Sequence, residues 1–123
     1  MFFKYWLSLA VLASLVSMAS ATTSNDEETY ERFATCMNYY NFTWEAVKVQ
    51  TEDGFILTTF HVTGNSTGTF KPTMPPVLIQ HGDTSDGAYW LCAYHDFGTG
   101  GLPMHLQLAE AGYDVWIGNN RGT

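Results

Sequence analysis

The fold of this chain is decided by one stretch, Pro76-Val77-Leu78-Ile79-Gln80-His81-Gly82-Asp83. Its continuous apolar run, Val77 to Ile79, is typical of a strand buried on both faces, as in a parallel sheet. His81-Gly82 ends the run, because Gly82 lets the backbone turn sharply. In open parallel sheets, ligands bind just beyond the carboxyl ends of the strands. The sequence therefore predicts that His81, Gly82 and Asp83 lie where chemistry occurs.

A helix and a second strand follow this stretch after a long, glycine-rich loop from His81 to Gly101, of a kind that is usually functional. Pro103 opens the helix, whose apolar residues recur at helical spacing, and Gly112 ends it. Tyr113 to Ile117 is a second apolar strand. The order strand, helix, strand predicts a parallel βαβ unit with a right-handed crossover.

Upstream, the sequence predicts an antiparallel hairpin. Trp44 to Gln50 alternates in polarity and Phe55 to Val62 is rich in β-branched and aromatic residues, so both are expected to be strands. Asp53-Gly54 between them is a strong turn signal. We expect a short helix within Tyr30 to Tyr40, after a polar start, and a loop from Thr63 to Pro76.

The predicted fold class is therefore α/β: an antiparallel hairpin followed by a parallel βαβ unit. So few strands would leave long sheet edges and an uncovered face. We interpret the chain as the N-terminal part of a larger domain.

Residues 1–21 have the pattern of a secretory signal peptide, with Lys4, an apolar run from Trp6 to Val16 and the small-residue site Ala19-Ser20-Ala21. A membrane anchor is the alternative, but the run is shorter than the ~20 residues that a span needs. The prediction is a mature region of residues 22–123 without a membrane span, either secreted or in the lysosomal lumen.

The composition of the chain predicts a packed core and argues against two classes of binding partner. A hydrophobic content of 46% predicts a packed core, and a net charge of −7 argues against binding to nucleic acid or anionic membrane surfaces. Nothing in the sequence indicates an oligomeric state.

Two further features fit a secreted chain. Cys36 and Cys92 could pair with each other, or each could have a partner elsewhere, and both possibilities stay open. Asn41-Phe42-Thr43 and Asn65-Ser66-Thr67 are sequons, which predict glycosylation at Asn41 and Asn65.

Three segments in order resemble one family. They are Thr51 to Leu57 (TEDGFIL), Leu78 to Gly82 (LIQHG) and Ala109 to Gly122 (AEAGYDVWIGNNRG). Together they resemble the acid lipases, the gastric and lysosomal lipase family of α/β-hydrolases, and Trp90 stands at that family's usual distance after His-Gly. The resemblance implies that residues 22–123 are part of an α/β-hydrolase domain and that the substrates are acylglycerols or sterol esters. It implies no cofactor, because serine ester hydrolysis needs none.

The resemblance also implies roles for the turn after the strand. In this family the residue after His-Gly supplies a backbone N–H to the oxyanion hole, which by position is Asp83, with Gly82 beside it and His81 shaping the turn. The family usually has an apolar residue at that place. A carboxylate near the developing oxyanion is unfavourable unless it points away, is paired or is protonated.

The family places its Gly-x-Ser-x-Gly elbow beyond Asn119-Asn120-Arg121-Gly122, and these 123 residues contain no elbow there. The literal match at Gly64 to Gly68 (GNSTG) lies in the predicted loop from Thr63 to Pro76, before the His-Gly strand. The chain alone is therefore not expected to hydrolyse an ester, and the first hypothesis is the N-terminal portion of a secreted or lysosomal lipase. The alternative is a truncated, non-catalytic secreted protein that binds lipid or a partner, or an incomplete gene model.

The remaining candidate metal ligands and nucleophiles have spacings that indicate no site. No metal site is predicted, because the spacing of these candidates matches no tight ligand pattern: Asp83, Asp86, His95, Asp96 and His105. Ser85 lacks the glycines of an elbow and has no base placed for it, so it is not expected to be a nucleophile.

Two interpretations stay open for the residues around the loop. Its aromatic residues either line an acyl pocket or pack beneath the loop: Tyr89, Trp90, Tyr94 and Phe97. Arg121 either orients the loops at the site or has a structural role at a strand end, and we favour the structural role.

Overall fold

The structure, a computed structural model, describes residues 24–92 and 101–123, and the side chains of residues 30–91 and 101–123. The predicted signal peptide lies outside these residues. The elements in chain order are α1 (Ser24–Tyr39), β1 (Phe42–Gln50), β2 (Ile56–Asn65), β3 (Gly68–Thr69), β4 (Pro76–Gln80), α2 (Tyr89–Cys92), α3 (Met104–Glu110) and β5 (Asp114–Gly118). No helix in the described part of the chain is both long and apolar enough to cross a bilayer.

The strands form one mixed sheet in the order β1-β2-β5-β4, with β3 paired to β2. β1 and β2 are antiparallel, β2 and β5 are antiparallel, and β4 and β5 are parallel. The predicted hairpin and the predicted parallel βαβ unit are both confirmed. Since β4 and β5 run in the same direction, their carboxyl ends meet at one edge of the sheet.

The turn between β1 and β2 forms because its residues suit a tight reversal. Gly54 adopts a φ of 90°, which side chains disfavour. The backbone N–H of Thr51 donates to the carbonyl of Phe55 at 2.8 Å, and the Thr51 hydroxyl donates to Asp53 Oδ1 at 2.6 Å. The turn therefore brings Asp53 to the end of the hairpin in a fixed orientation.

Helix α3 ends at a glycine, as predicted. Gly112 has a φ of 95°, and a Cβ there would approach Thr73 Oγ1 to 2.8 Å. The N–H of Tyr113 donates to the carbonyl of Leu108 at 3.1 Å, which satisfies a terminal carbonyl of the helix. The close approach at Gly112 holds the segment before β4 against the end of α3.

The hydrophobic core lies between the helices and one face of the sheet. Phe33 of α1 stacks on Phe60 of β2 with ring centroids 3.9 Å apart, and Trp44 meets both rings edge-on. The other buried hydrophobic residues of the core come from the helices, the strands and the segment before α2: Cys36, Met37, Phe42, Val62, Ala88, Leu91, Leu106, Ala109, Val115 and Ile117. One face of β2 and β5 is thus buried against the helices.

The structure corrects three expectations. The strand β4 is not buried on both faces: Leu78 is 65% exposed, because β4 ends the described sheet and only the face with Val77 and Ile79 is partly buried. The first helix begins earlier than expected, at Ser24. The expected loop from Thr63 to Pro76 is shorter, because β2 continues to Asn65 and pairs with β3.

Candidate active site

The loops that follow β4 and β5 meet at the carboxyl edge of the sheet, because Gln80 lies opposite Gly118 in the parallel register. Between these loops is a cleft of ≈ 390 Å³. It is lined by His81, Gly82, Asp83, Thr84, Ser85, Asp86, Asn120, Arg121, Gly122 and Thr123. The three residues predicted from the sequence, His81 to Asp83, therefore lie together along one cleft.

His81 is buried and connects the two loops. Its Nδ1 lies 2.7 Å from the carbonyl oxygen of Gly82, and its Nε2 lies 3.0 Å from the backbone N of Asn120. A carbonyl can only accept and an amide N–H can only donate, so Nδ1 carries the proton and Nε2 accepts. His81 is thus a neutral imidazole in this arrangement, with both nitrogens already engaged.

Asp83 presents a free backbone donor at the cleft. Within residues 24–92 and 101–123, its backbone N–H donates no hydrogen bond. Its carboxylate turns back on its own chain, where Oδ1 accepts from the N–H of Thr84 at 3.0 Å. Thr84 has a φ of 57°, a strained conformation for a β-branched residue. The turn therefore leaves the N–H of Asp83 without an acceptor among the described residues, like those of Gly82 and Ser85, while it occupies part of the carboxylate.

Asp86, considered above as a metal ligand, and Ser85, considered above as a nucleophile, have other surroundings in the structure. The Asp86 carboxylate accepts two hydrogen bonds from Arg32 Nη2, at 2.7 and 2.6 Å, and a third from the N–H of Tyr89 at the start of α2. The hydroxyl oxygen of Ser85 is buried and has no partner among the described side chains. Neither arrangement includes a base that would activate a nucleophile.

Arg121 makes structural contacts with the hairpin. It donates to both carboxylate oxygens of Asp53, at 3.0 and 2.8 Å, and lies 3.7 Å over the ring of Phe55. The hydrogen bond from Thr51 and then that from Arg121 lower the pKa of Asp53. These contacts support the structural interpretation of Arg121 and tie the loop after β5 to the β1–β2 turn.

Asn119 and Asn120 are site residues that the sequence reasoning missed. Asn119 is buried; its Nδ2 donates to the carbonyl of Thr58 at 3.0 Å, and its Oδ1 accepts from the N–H of Gly87 at 2.7 Å. Asn120 Oδ1 accepts from Gln80 Nε2 at 2.8 Å. The available signals were two consecutive amide side chains directly after an apolar strand and their place in the third segment that resembles the acid lipases.

A second histidine has very different surroundings, on the sheet face opposite the core. His61 of β2 lies 2.8 Å from Glu45 Oε1 through Nδ1 and 2.8 Å from Asp114 Oδ1 through Nε2. Its ring stacks on Trp116 with centroids 4.0 Å apart, and Trp116 Nε1 donates to Asp114 Oδ2. Burial alone would lower the pKa of His61, but the hydrogen bonds and charges of the two carboxylates outweigh it and raise the pKa. We call these four residues, Glu45, His61, Asp114 and Trp116, the strand clamp, because they join β1, β2 and β5.

The two sequon asparagines lie at the other end of the sheet from the cleft. Asn41 is exposed and directly precedes β1, and Asn65 pairs with Phe42 at the end of the β1–β2 ladder. Asn65 Oδ1 accepts from both the N–H and the hydroxyl of Thr67, at 2.9 and 2.6 Å. Glycans at these two positions would leave the cleft open.

The remaining candidates are placed as follows. Cys36 is buried and disulfide-bonded. The side chain of Cys92 lies outside the described residues, so its pairing with Cys36 stays a prediction. His95, Tyr94, Asp96 and Phe97 also lie outside them. Among the described residues, no group of three or more metal-ligating side chains is placed to hold a metal ion.

Comparison with known proteins identifies related sequences. The family model of the partial α/β-hydrolase lipase region matches residues 33–94, half of the chain. Human lysosomal acid lipase/cholesteryl ester hydrolase is 35% identical over 101 residues, which cover 81% of this chain and 24% of the human protein.

Two further relatives also carry the word lipase in their names. Human lipase member N is 40% identical over 85 residues, covering 68% of this chain and 20% of that protein. Triacylglycerol lipase 1 of Arabidopsis thaliana is 34% identical over 121 residues, covering 96% of this chain and 29% of that protein. The chain spans 20 to 29% of the length of these relatives.

Proposed function

This chain belongs to the α/β-hydrolase lipase family, and we propose that it is the N-terminal portion of a carboxylic ester hydrolase that acts on acylglycerols or sterol esters. The observation that carries the proposal is the free backbone N–H of Asp83 beside the cleft at the carboxyl edge of the sheet. The nucleophile, the acid and the base of the reaction would be supplied by residues other than these 123.

The proposed role of the Asp83 N–H is to bind the oxyanion. Ester cleavage passes through a tetrahedral intermediate whose negative charge is on oxygen. One fixed N–H aimed at that charge contributes about 3 to 4 kcal/mol in known hydrolases. Gly82, next to Asp83, is the second backbone candidate in the turn. His81 would shape the turn and not act as the base, since both its nitrogens are engaged.

The Asp83 side chain is compatible with this role. Two unit charges 4 Å apart interact by roughly 4 kcal/mol at an effective dielectric constant of about 20, so a carboxylate directed at the oxyanion would slow the reaction. Here the carboxylate is bonded to the N–H of Thr84. That contact supports a carboxylate that stays bonded to its own turn.

The proposed location is the secretory pathway, with residues 1–21 as a signal peptide and the mature protein secreted or lysosomal. The sequons, the disulfide bond at Cys36 and the name of the human lysosomal relative support it. We expect glycans on Asn41 and Asn65 and a bond between Cys36 and Cys92. Removal of N-glycans should lower the mass in two steps, each abolished by Asn41→Gln or Asn65→Gln, and peptide mapping without reductant should show the cysteine pair.

The activity is tested with the protein expressed from its complete coding sequence in a secreting cell. We expect release of fatty acid from trioleoylglycerol, cholesteryl oleate or both, assayed at pH 5 and pH 7.5, and labelling by a serine-reactive phosphonate. A folded, secreted protein that releases acid from neither lipid nor from p-nitrophenyl butyrate would overturn the proposal. It would support the alternative of a non-catalytic secreted protein.

A further inference from the structure

The six-residue segment from Gly82 to Gly87 carries the proposed oxyanion donor and is fastened at both ends by side chains. We infer that Asn119 and His81 are positioning residues that hold this segment in the geometry that catalysis needs. The inference rests on the proposed function, because it assigns the two side chains a purpose in the same site. Neither side chain would touch the reacting atoms.

Asn119 fastens the far end of the segment to the sheet. Its amide lies between β2 and the segment, accepting from the N–H of Gly87 and donating to the carbonyl of Thr58. Only 7% of Asn119 is exposed, so water cannot readily replace either bond. A Cβ at residue 87 would lie 3.0 Å from Asn119 Oδ1 and 3.1 Å from Ile117 Cγ2, so a side chain there would press on both atoms, and glycine permits the close approach.

His81 fastens the near end to the loop after β5. The neutral ring receives the N–H of Asn120 at Nε2 and donates from Nδ1 to the carbonyl of Gly82, which is the peptide group that includes the N of Asp83. The orientation of that peptide sets the direction of the Asp83 N–H. His81 is 4% exposed, so the ring is also held by packing.

The segment needs both fastenings because its conformation is strained. Thr84 has a left-handed φ of 57°, and strained residues persist only where the surroundings determine them. An oxyanion donor must also be placed closely, since a 1 Å error can cost about 10²-fold in rate. The bonds of Asn119 and His81 supply the constraint without using the N–H of Asp83.

The first test is Asn119→Asp in the complete, glycosylated enzyme. Aspartate has the same shape and still accepts from Gly87, but it places an oxygen against the carbonyl of Thr58. We expect kcat per active site to fall about 100-fold while KM changes by less than about twofold, because the oxyanion exists only in the transition state. Asn38→Asp makes the same chemical change at an exposed position of α1 and should leave kcat unchanged.

The second test compares two amides at the histidine position. In His81→Gln the side chain reaches the place of Nε2 and can accept from Asn120, whereas in His81→Asn it reaches only the place of Nδ1. Because the bond from Nδ1 to the carbonyl of Gly82 orients the peptide that carries the Asp83 N–H, we expect His81→Asn, whose amide can still donate there, to retain at least about tenfold more kcat than His81→Gln. In the wild type, ¹⁵N NMR at pH 7.5 should show His81 protonated at Nδ1 and unprotonated at Nε2.

The outcomes separate the two levels of the argument. A wild type without esterase activity overturns the proposed function and this inference with it. An active wild type in which Asn119→Asp loses thermal stability but keeps kcat, or in which the two amides at position 81 behave alike, overturns the inference alone. If Asn119→Asp does not fold, the comparison at position 81 and the NMR tautomer decide.

Discussion

His61 and His81 lie in the same sheet region, yet their hydrogen-bond partners set different charge states, one cationic and one neutral. His61 is flanked by two carboxylates, which can only accept, so both its nitrogens must donate and the ring is cationic when the clamp is complete. His81 lies between a carbonyl and an amide N–H, so its ring is neutral. The partner atoms, and not the residue type, therefore decide what each histidine does: His61 joins strands as a cation and His81 orients a turn.

Replacing each histidine with arginine, which is always charged, should give the largest difference between positions 61 and 81. His81→Arg would put a charge in a buried position without a counter-ion, and we expect a loss of about 3 kcal/mol or more in the free energy of unfolding, with loss of esterase activity. His61→Arg is the matched variant, and we expect near wild-type stability because both carboxylates remain available. Urea denaturation of the two variants at pH 7 checks this, and equal losses at both positions would contradict the comparison.

A third histidine sharpens the comparison, because it has neither kind of partner. His105 is 2% exposed, its Nε2 has no hydrogen-bond partner among the described residues, and burial lowers its pKa to about 4. The unfolded chain therefore binds a proton near pH 6.5 that the folded chain does not, so His105 costs stability as the pH falls from about 6.5 to 4. As the pH falls from 7 to 4.5, the unfolding free energy of His105→Leu should therefore rise by about 2 kcal/mol relative to that of wild type. A variant whose unfolding free energy changes with pH as the wild type does would refute a neutral, buried His105.

The strand clamp should have the opposite pH dependence. The pKa of His61 is raised above its usual 6.5, so its stabilisation is complete below about pH 6.5 and is lost as the pH rises through the raised pKa. The pKa of Asp114 is lowered below its usual 3.8, first by the hydrogen bond from Trp116 and also by His61, so its stabilisation is lost only as the pH falls through that lowered pKa. The clamp therefore stabilises most between about pH 4 and pH 6.5, the range of an acidic lumen.

The measurement is His61→Gln against wild type across pH. We expect a loss of about 1 kcal/mol in unfolding free energy at pH 5.5, and a smaller loss at pH 8.5, because the wild-type ring is then neutral. Comparing the variant with wild type at each pH removes the contribution of His105, which both share. A loss that grows with pH would contradict the cationic clamp.

The two carboxylates of the strand clamp, Glu45 and Asp114, should contribute unequally to stability, by a small amount. The side chain of Glu45 is 59% exposed, whereas that of Asp114 is 28% exposed and also accepts from Trp116. Glu45→Gln should therefore cost about 0.5 kcal/mol or less at pH 5.5, and Asp114→Asn should cost more. Thermal denaturation of both variants checks the order, and a larger loss for Glu45→Gln would show that the assignment of partners is wrong.

The sequence predicts the elements and the edge of the fold where the site lies, because those depend on local patterns. Alternation gives the hairpin, Pro103 and Gly112 bound α3, and the apolar run before His81 gives β4. The position of the site then follows from two parallel strands. The exposure of Leu78 could not be predicted, because it depends on the position of β4 at the end of the described sheet.

The side-chain chemistry of the site and the clamp could not be predicted for a related reason. The partners of Asn119 are 61 and 32 residues away in the sequence, and those of His61 are 16 and 53 residues away. No local pattern encodes such pairs, since they arise only when β2 lies between β1 and β5. The pairing of β2 with β5 was not apparent from the sequence, and it is this pairing that brings Asp114 to His61.

The oxyanion-binding role proposed for the backbone N–H of Asp83 is tested by one pair of variants. Asp83→Pro removes this N–H, whereas Asp83→Ala keeps it and removes only the carboxylate. In the complete enzyme we expect Asp83→Pro to lower kcat by about 10²- to 10³-fold, and Asp83→Ala to stay within about tenfold of wild type. If Asp83→Pro folds, with thermal stability close to that of Asp83→Ala, and has the same kcat as Asp83→Ala, the N–H of Asp83 does not bind the oxyanion and the account is wrong.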